Sequence, residues 1–412
     1  MPEFLRLQSP ADALARLLDA LPQAAVLGEQ DIPTQDSLGR VLAEDIRAPH
    51  ALPPFPRSSV DGYAVRAPDT FGASASLPAY LNLAGEVPMG ALTTLELTRG
   101  MAALVHTGGM VPAGADAVVM VEDTQVSRPG EIEILRPAAP GMNVLQVGED
   151  VQPGETVLLR GSRLRAQEIG GLMALGFTRV RVVRPPRVGI LSTGDEVVAP
   201  EADPMPGQVR DVNTYTLSAV VTQAGGEPVL YGILPDQREA LELAARQAHA
   251  ACDVVLITAG SSVSTRDITS EIIATLGPPG VLAHGVALKP GKPTILAVCS
   301  GKPVIGLPGN PVSALVVAGL FVAPLLRRML GLREPRLSPR VHARLTTNIP
   351  SEAGREDYVP VRVTGDEGSF EAQPVFGKSN LIFTLVRADG LVRVPTDANG
   401  LAAGELVEVL LF

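Results

Sequence analysis

Apolar and polar positions change their rhythm four times along the chain. Near the start, Leu14, Leu17, Leu18 and Leu21 recur at helical spacing behind Ser9-Pro10, a cap residue followed by a first-turn proline, and predict a helix within 5–28. Residues 31–50 read as a connector with one short helical turn near 37–42. From 51 to 146 short apolar runs (81–85, 102–106, 117–121, 131–135) alternate with Gly/Pro turns, the pattern of an all-β module. Helical spacing returns at 164–175, with Gly176 as its stop. This helix is expected to pack on the first one, which makes the β module an insertion.

A third texture covers 186–332. Strand-like runs at 188–191, 229–234, 254–258, 294–298 and 304–307 alternate with helical stretches at 215–224, 238–250, 268–276 and 311–330. Alternation of this kind predicts a three-layer α/β domain, a mostly parallel sheet with helices on both faces. Residues 333–412 return to short strands (359–363, 391–395, 406–411), a small barrel-like β domain. The expected organisation is a multidomain α/β chain: a helical linking domain (1–50 plus 147–185), the inserted β module (51–146), the α/β domain (186–332) and the C-terminal β domain (333–412).

Composition narrows the function. Carboxylates (44) outnumber basic side chains (34), so the net charge of −10 argues against a general nucleic-acid binder. The two cysteines, Cys252 and Cys299, sit in apolar runs and read as buried thiols, with no zinc-type spacing. The first twelve residues lack the basic and apolar regions of a signal peptide. The most apolar stretch, 314–326, is too short to span a bilayer and is interrupted by Gly319 and Pro324. A soluble cytoplasmic protein, without membrane partners, is the expectation.

In an open parallel sheet, ligands bind beyond the carboxyl ends of the strands. Those positions carry Ser192-Thr193-Gly194-Asp195-Glu196, then Pro235-Asp236, then Ala259-Gly260-Ser261-Ser262 with Asp267, and finally Pro308-Gly309-Asn310-Pro311-Val312-Ser313. Small residues and hydroxyls let backbone N–H groups approach an anion. Asn310 and Pro311 form a cap and first-turn pair for the long helix. Lys289 and Lys292, in Lys289-Pro290-Gly291-Lys292-Pro293, add positive charge. Glu196, Asp236 and Asp267, with Asp195, suit a hard divalent cation instead. Asp195 and Asp236 also read as turn and helix caps. Together these groups suggest phosphate-ester or nucleotide chemistry with magnesium. The histidines are scattered and form no nucleophilic triad. In 53–65, prolines hold an extended segment, and Asp61-Gly62 is read as a sharp turn presenting a carboxylate.

Four motifs in order, the 53–65 segment, Ser192–Glu196, the Lys289–Pro293 loop and Gly306-Leu307-Pro308-Gly309-Asn310-Pro311-Val312-Ser313-Ala314, resemble the molybdopterin molybdenumtransferases of the MoeA and gephyrin E-domain type. The resemblance covers nearly the whole chain. It implies a molybdopterin-binding-type α/β domain and an elongated homodimer whose cleft receives the partner's β module. It implies Mg2+-dependent insertion of molybdate into adenylylated molybdopterin with release of AMP. By position it implies catalytic roles for Asp61, Thr107 and Asp150. Glu196, Asp236 and Asp267 become the metal carboxylates. Lys289, Lys292, Ser313, Arg355 and Ser379 become the molybdate groups, beside the substrate loops Ser192–Gly194, Gly260–Ser262 and Pro308–Pro311. A molybdopterin adenylyltransferase and molybdoenzyme apoproteins are implied as protein partners. Two readings compete: the adenylyltransferase activity itself, which needs only the α/β domain, and a non-catalytic gephyrin-like dimeric scaffold. The chain departs from many members at Ser264, Thr265 and Arg266, where they carry Gly, Asp and a variable residue, and at Gly285, where some carry lysine.

Overall fold

The computed structural model describes residues 7–22, 27–259, 263–333, 339–366 and 368–412, without the side chains of 259 and 263–267. The chain divides into two compact units, one comprising Met1–Ala43, Gly161–Arg165 and Arg179–Phe412, the other Glu44–Arg160 and Ala166–Thr178.

In the first unit, six strands form a sheet in the order Glu227–Leu234, Arg187–Thr193, Val254–Ala259, Lys302–Pro308, Ile295–Cys299, Pro279–His284. The first four run parallel and the last two antiparallel to their neighbours. Period-two alternation splits their side chains between two cores. Val188, Ile190, Leu256 and Ile305 enter one, while Leu191, Val255, Ile257 and Val304 enter the other. Helices Asn213–Gln223 and Pro10–Asp19 cover the first core, and Arg238–Ala251 and Val263–Thr275 cover the second. The strand Pro279–His284 escaped the sequence reading, because Pro278-Pro279-Gly280 looks like a turn cluster.

The N-terminal helix is capped by Ser9, whose hydroxyl accepts the Asp12 amide at 3.1 Å. Its buried face, Ala13 and Leu17, lies in the α/β core. The sequence reading set this helix beside the 164–175 helix of a linking domain; the structure gives its apolar stripe to the sheet. The short turn expected at 37–42 is a three-residue helical turn at Thr34–Asp36.

The 311–330 stretch is helical as Pro311–Val317 and Ala323–Met329, joined by a wide π-type turn at Ala318–Val322. Pro324 has no N–H to return and crowds the preceding turn, and a π turn is one way to accommodate it. By length and composition this stretch could cross a membrane. Here Val317, Ala318, Phe321, Val322, Leu325 and Leu326 are fully buried in the α/β core.

The C-terminal strands close a small barrel. Glu356–Thr364 pairs with both Glu371–Pro374 and Gly390–Val394, and Arg340–Leu345 and Leu406–Leu411 complete the ring. A two-residue strand from the lysine loop, Leu288–Lys289, adds in parallel to Glu356–Asp357. Val312 and Val316 of the long helix pack on Tyr358, Leu385 and Leu391.

In the second unit a six-stranded sheet runs Ala117–Met120, Gly62–Val65, Met101–Val105, Ala79–Glu86, Glu131–Ile134, Thr124–Arg128. Tyr63 and Val65 face one core and Ala64 the other. The Ala166–Ala174 helix ends at Gly176, whose φ of +82° favours glycine.

Candidate functional site

Register fixes where the loops of the parallel sheet emerge. Thr193 pairs with Leu234, Ser192 with Thr258, and Ala259 with Pro308, so all four parallel strands end on one edge. At one end of that edge the carboxylates gather. Asp195 accepts the Asp236 amide at 3.1 Å through Oδ1. Burial first, then the charges of Asp195 and Glu196, push the Asp236 carboxyl above the ordinary carboxylate range. Its Oδ1 is shielded from solvent and has no hydrogen-bond partner among the described residues. Asp236 is not the helix cap the sequence suggested; that position is Gln237, without a side-chain cap bond. Ser192 and Thr193 are buried, and the Thr193 hydroxyl donates to the Thr258 carbonyl at 3.1 Å. Gly260, Ser261 and Ser262, and the side chain of Asp267, lie outside the described residues. Among the described residues no three metal-type ligands converge, Asp195, Glu196 and Asp236 included, and the side chain of Asp267, third of the expected trio, lies outside them.

The basic groups collect elsewhere. A cleft of 840 Å³ is lined by Lys289, Lys292, Pro308, Asn310, Ser313, Arg355 and Ser379, among others. The turn that carries the lysines needs its glycine: Gly291 has φ +120°, and a Cβ there would lie 2.5 Å from Val317 Cγ2 and 2.7 Å from Leu288 Cδ1. Asn310 stands in the extended conformation of a helix cap, yet its side chain makes no cap bond and donates instead to Ser379 Oγ at 3.0 Å. The Val312 amide donates to the Ser379 carbonyl at 3.1 Å, so the barrel closes on the helix start. Asn213 Nδ2 supports the same loop by donating to the Gly309 carbonyl at 2.8 Å. Under the cations lies Asp357, bonded to Arg355 Nε at 2.9 Å and facing Lys289 Nζ at 3.6 Å.

Sequence reading therefore placed the lysine turn and the helix start together and the structure does the same. It also expected the acids in that pocket, and they do not line it. Glu196 and Asp236 sit near the strand end at Thr193, two strand positions from Pro308, or roughly 10 Å at the usual strand spacing. Pro311 is the first residue of the helix and does not line the cleft. Asp357 and Lys378, both lining residues, were missed. A signal was present for Lys378, which stands between Gly377 and Ser379; Asp357 shares a strand face with Arg355 by its two-residue spacing, but its place under Lys289 depends on a long-range pairing.

In the second unit, Asp61 and Thr107 meet. The Thr107 amide and hydroxyl both donate to Asp61 Oδ1, at 2.7 and 3.1 Å. The amide first, then the hydroxyl, hold the Asp61 carboxyl below the ordinary range, although it is exposed. His106, also missed, bridges toward Asp61 Oδ1 at 3.9 Å and contacts Glu86 at 2.8 Å. Asp61-Gly62 is not the sharp turn expected. Gly62 begins a central strand and pairs with both Val105 and Met120. Glycine is required because a Cβ would lie 2.0 Å from the Val119 carbonyl oxygen. Asp150 lines a different hollow of 790 Å³ with His50, Phe55, Arg57 and Glu149.

Comparison with known proteins spans the chain. Residues 8–176 match the MoeA N-terminal region (domain I and II), 189–328 the "Probable molybdopterin binding domain", and 342–412 the MoeA C-terminal region (domain IV). The molybdopterin molybdenumtransferase of Bacillus subtilis is 35% identical over 382 residues, covering 92% of this chain and 88% of that one. That of Haemophilus influenzae is 33% identical over 377 residues, covering 91% and 92%. A crystal structure of a molybdopterin biosynthesis MoeA protein from Pyrococcus horikoshii superposes with a TM-score of 0.85 at 35% identity, covering 99% of this chain and 100% of that one.

Proposed function

The chain belongs to the MoeA family of molybdopterin molybdenumtransferases, and from that premise we propose how its residues divide the work. It is a transferase of molybdenum cofactor biosynthesis whose substrates are molybdopterin-related. Our reading assigns molybdate to the 840 Å³ cleft and adenylylated molybdopterin, with AMP as leaving group, to the strand-end edge. The observation that carries it is the convergence of Lys289, Lys292, Asn310, Ser313, Arg355 and Ser379 on one cleft.

Molybdate is a tetrahedral dianion, a shape that several donors from different directions hold well. Ammonium and guanidinium donors make short, charge-assisted bonds to such oxygens. Ser313 and Ser379 supply hydroxyls that orient it, and Asn310 is held by Ser379 so that the helix start keeps its place. At the edge, the small residues at 192–194 let main-chain donors approach a phosphate ester. Asp195 and Glu196 lie near Asp236 without converging as a three-ligand site among the described residues, and Asp236 keeps one shielded oxygen without a donor there. A Mg2+ ion at this edge would take Asp236 as one ligand and draw the rest from substrate phosphate or Asp267; when bound, such an ion would neutralise phosphate charge and polarise the P–O bond. Asp61, kept ionised by Thr107, is a hydrogen-bond acceptor suited to orient an oxygen nucleophile, and Asp150 is a second candidate for that task. The protein thus acts mainly by positioning and electrostatics.

A homodimer, a cytoplasmic setting, and transfer between a molybdopterin adenylyltransferase and molybdoenzyme apoproteins complete the proposal. The test is direct. Purified protein given adenylylated molybdopterin, Mg2+ and molybdate should release AMP in a molybdate-dependent manner, and Asp61→Ala should abolish release while pterin binding persists. ATP-dependent adenylylation of molybdopterin, or no AMP at any molybdate concentration, would refute it.

A further inference from the structure

Asp357 is a carboxylate on the floor of a cleft assigned to an anion. Its side chain is only 3% exposed, against 28% for Arg355 and 58% for Lys289. A carboxylate at that depth is costly unless cations and donors satisfy it. Here the two oxygens are divided: Oδ1 accepts from Arg355 Nε at 2.9 Å, and Oδ2 faces Lys289 Nζ at 3.6 Å. Neither contact depends on chance encounters of side chains. Lys289 and Asp357 are register partners in the parallel pair that joins the lysine turn to the barrel, and the Glu356 amide donates to the Ala287 carbonyl at 2.9 Å. Arg355 precedes Asp357 by two residues, the spacing that returns a strand to the same face.

We propose that Asp357 is a positioning residue for oxyanion binding: from beneath the cleft it holds the Lys289 and Arg355 side chains where the dianion will arrive. The inference deepens the assignment of molybdate to this cleft and rests on it. Two physical effects of Asp357 have opposite signs. Its negative charge repels an incoming dianion, so neutralising it should tighten binding if charge alone matters. Its bonds restrain two long, rotamer-rich side chains, so neutralising it should weaken binding if order matters. The Arg355 bond is short and shielded, and it cancels most of the carboxylate's field at close range. Ordering therefore outweighs repulsion, and Asp357 acts through its two partners without touching the anion.

The sign is measurable. Molybdate binding is followed by calorimetry, and steady-state AMP release supplies KM for molybdate separately from kcat. Asp357→Asn should raise Kd and KM for molybdate about tenfold, with a much smaller change in kcat. Asp357→Glu, which keeps the charge and also guards against a folding defect in the first variant, should stay within about threefold of wild type. In a cycle with Lys289→Gln, the double variant should lose less than the product of the single losses. Unchanged or tighter binding in Asp357→Asn, equal losses in Asn and Glu variants, or strict additivity with Lys289→Gln would each overturn the inference. Wild-type protein that binds no molybdate would instead remove the assignment of the cleft, and the inference with it.

Discussion

The strand-end edge and the lysine cleft belong to the same unit and both sit at the ends of sheet elements, yet they are opposite in charge and in construction. At the edge, burial first and then the charges of Asp195 and Glu196 raise the Asp236 carboxyl. In the cleft, Lys289, Lys292, Arg355 and Lys378 surround one buried acid, Asp357. Each acid of the edge is delivered by the loop next to its own strand. The cleft is assembled from four distant pieces: a turn, a helix start and two barrel segments. The separation keeps an acidic surface and a basic one apart, so that neither neutralises the other.

Three substitutions would break or sharpen that contrast. The largest effect is expected from Lys289→Glu. Replacing a cation by an anion beside Asp357 sets two carboxylates near each other where Lys289 Nζ now faces Asp357 Oδ2 at 3.6 Å. Loss of one partner from such a site costs about 2–5 kcal/mol, and reversal belongs at the upper end. The efficiency for molybdate should fall about a thousandfold, while binding of adenylylated pterin changes little. An equal fall in both would mean that edge and cleft are one site. Gly291→Ala should come next. It introduces a Cβ 2.5 Å from Val317 at a φ of +120°, so the turn must shift. Strain of this kind costs on the order of 1–3 kcal/mol, and KM for molybdate should rise about tenfold with a lower melting temperature.

The same contrast explains what the sequence revealed. The edge was legible because its acids are chain neighbours of predictable strand ends: Glu196 follows the Arg187–Thr193 strand and Asp236 follows Glu227–Leu234. Strand alternation likewise exposed the parallel sheet. The lysine turn and the 308–313 helix start were legible as motifs, but their floor was not. Asp357 is brought under Lys289 by a parallel pairing between residues 68 positions apart, which no local pattern encodes. Asp61-Gly62 misled because Asp-Gly is a strong turn signal, while here the glycine serves close packing against the Val119 carbonyl in a central strand. The Pro10–Asp19 helix misled because its amphipathic stripe shows only that it packs, not on what.

The smallest effect tests the edge without turnover. A carboxyl held above its unfolded value binds its proton more tightly in the folded protein. Its contribution to stability is full below the unfolded carboxylate range and is lost as pH rises through the raised value, because the folded state must then ionise against burial and two like charges. At pH 7, above the unfolded carboxylate range, Asp236 therefore costs stability relative to a neutral side chain. Asp236→Asn should raise the melting temperature at pH 7 by about 2 °C, and the gain should vanish when both proteins are melted near pH 3. Added Mg2+ should stabilise wild type more than the variant, since an ion that binds only the folded state adds its binding free energy to stability. A variant that melts lower than wild type at pH 7 would show that Asp236 is satisfied by its neighbours rather than crowded by them. The edge would then lose its claim to a cation, while the cleft would keep its claim to an anion.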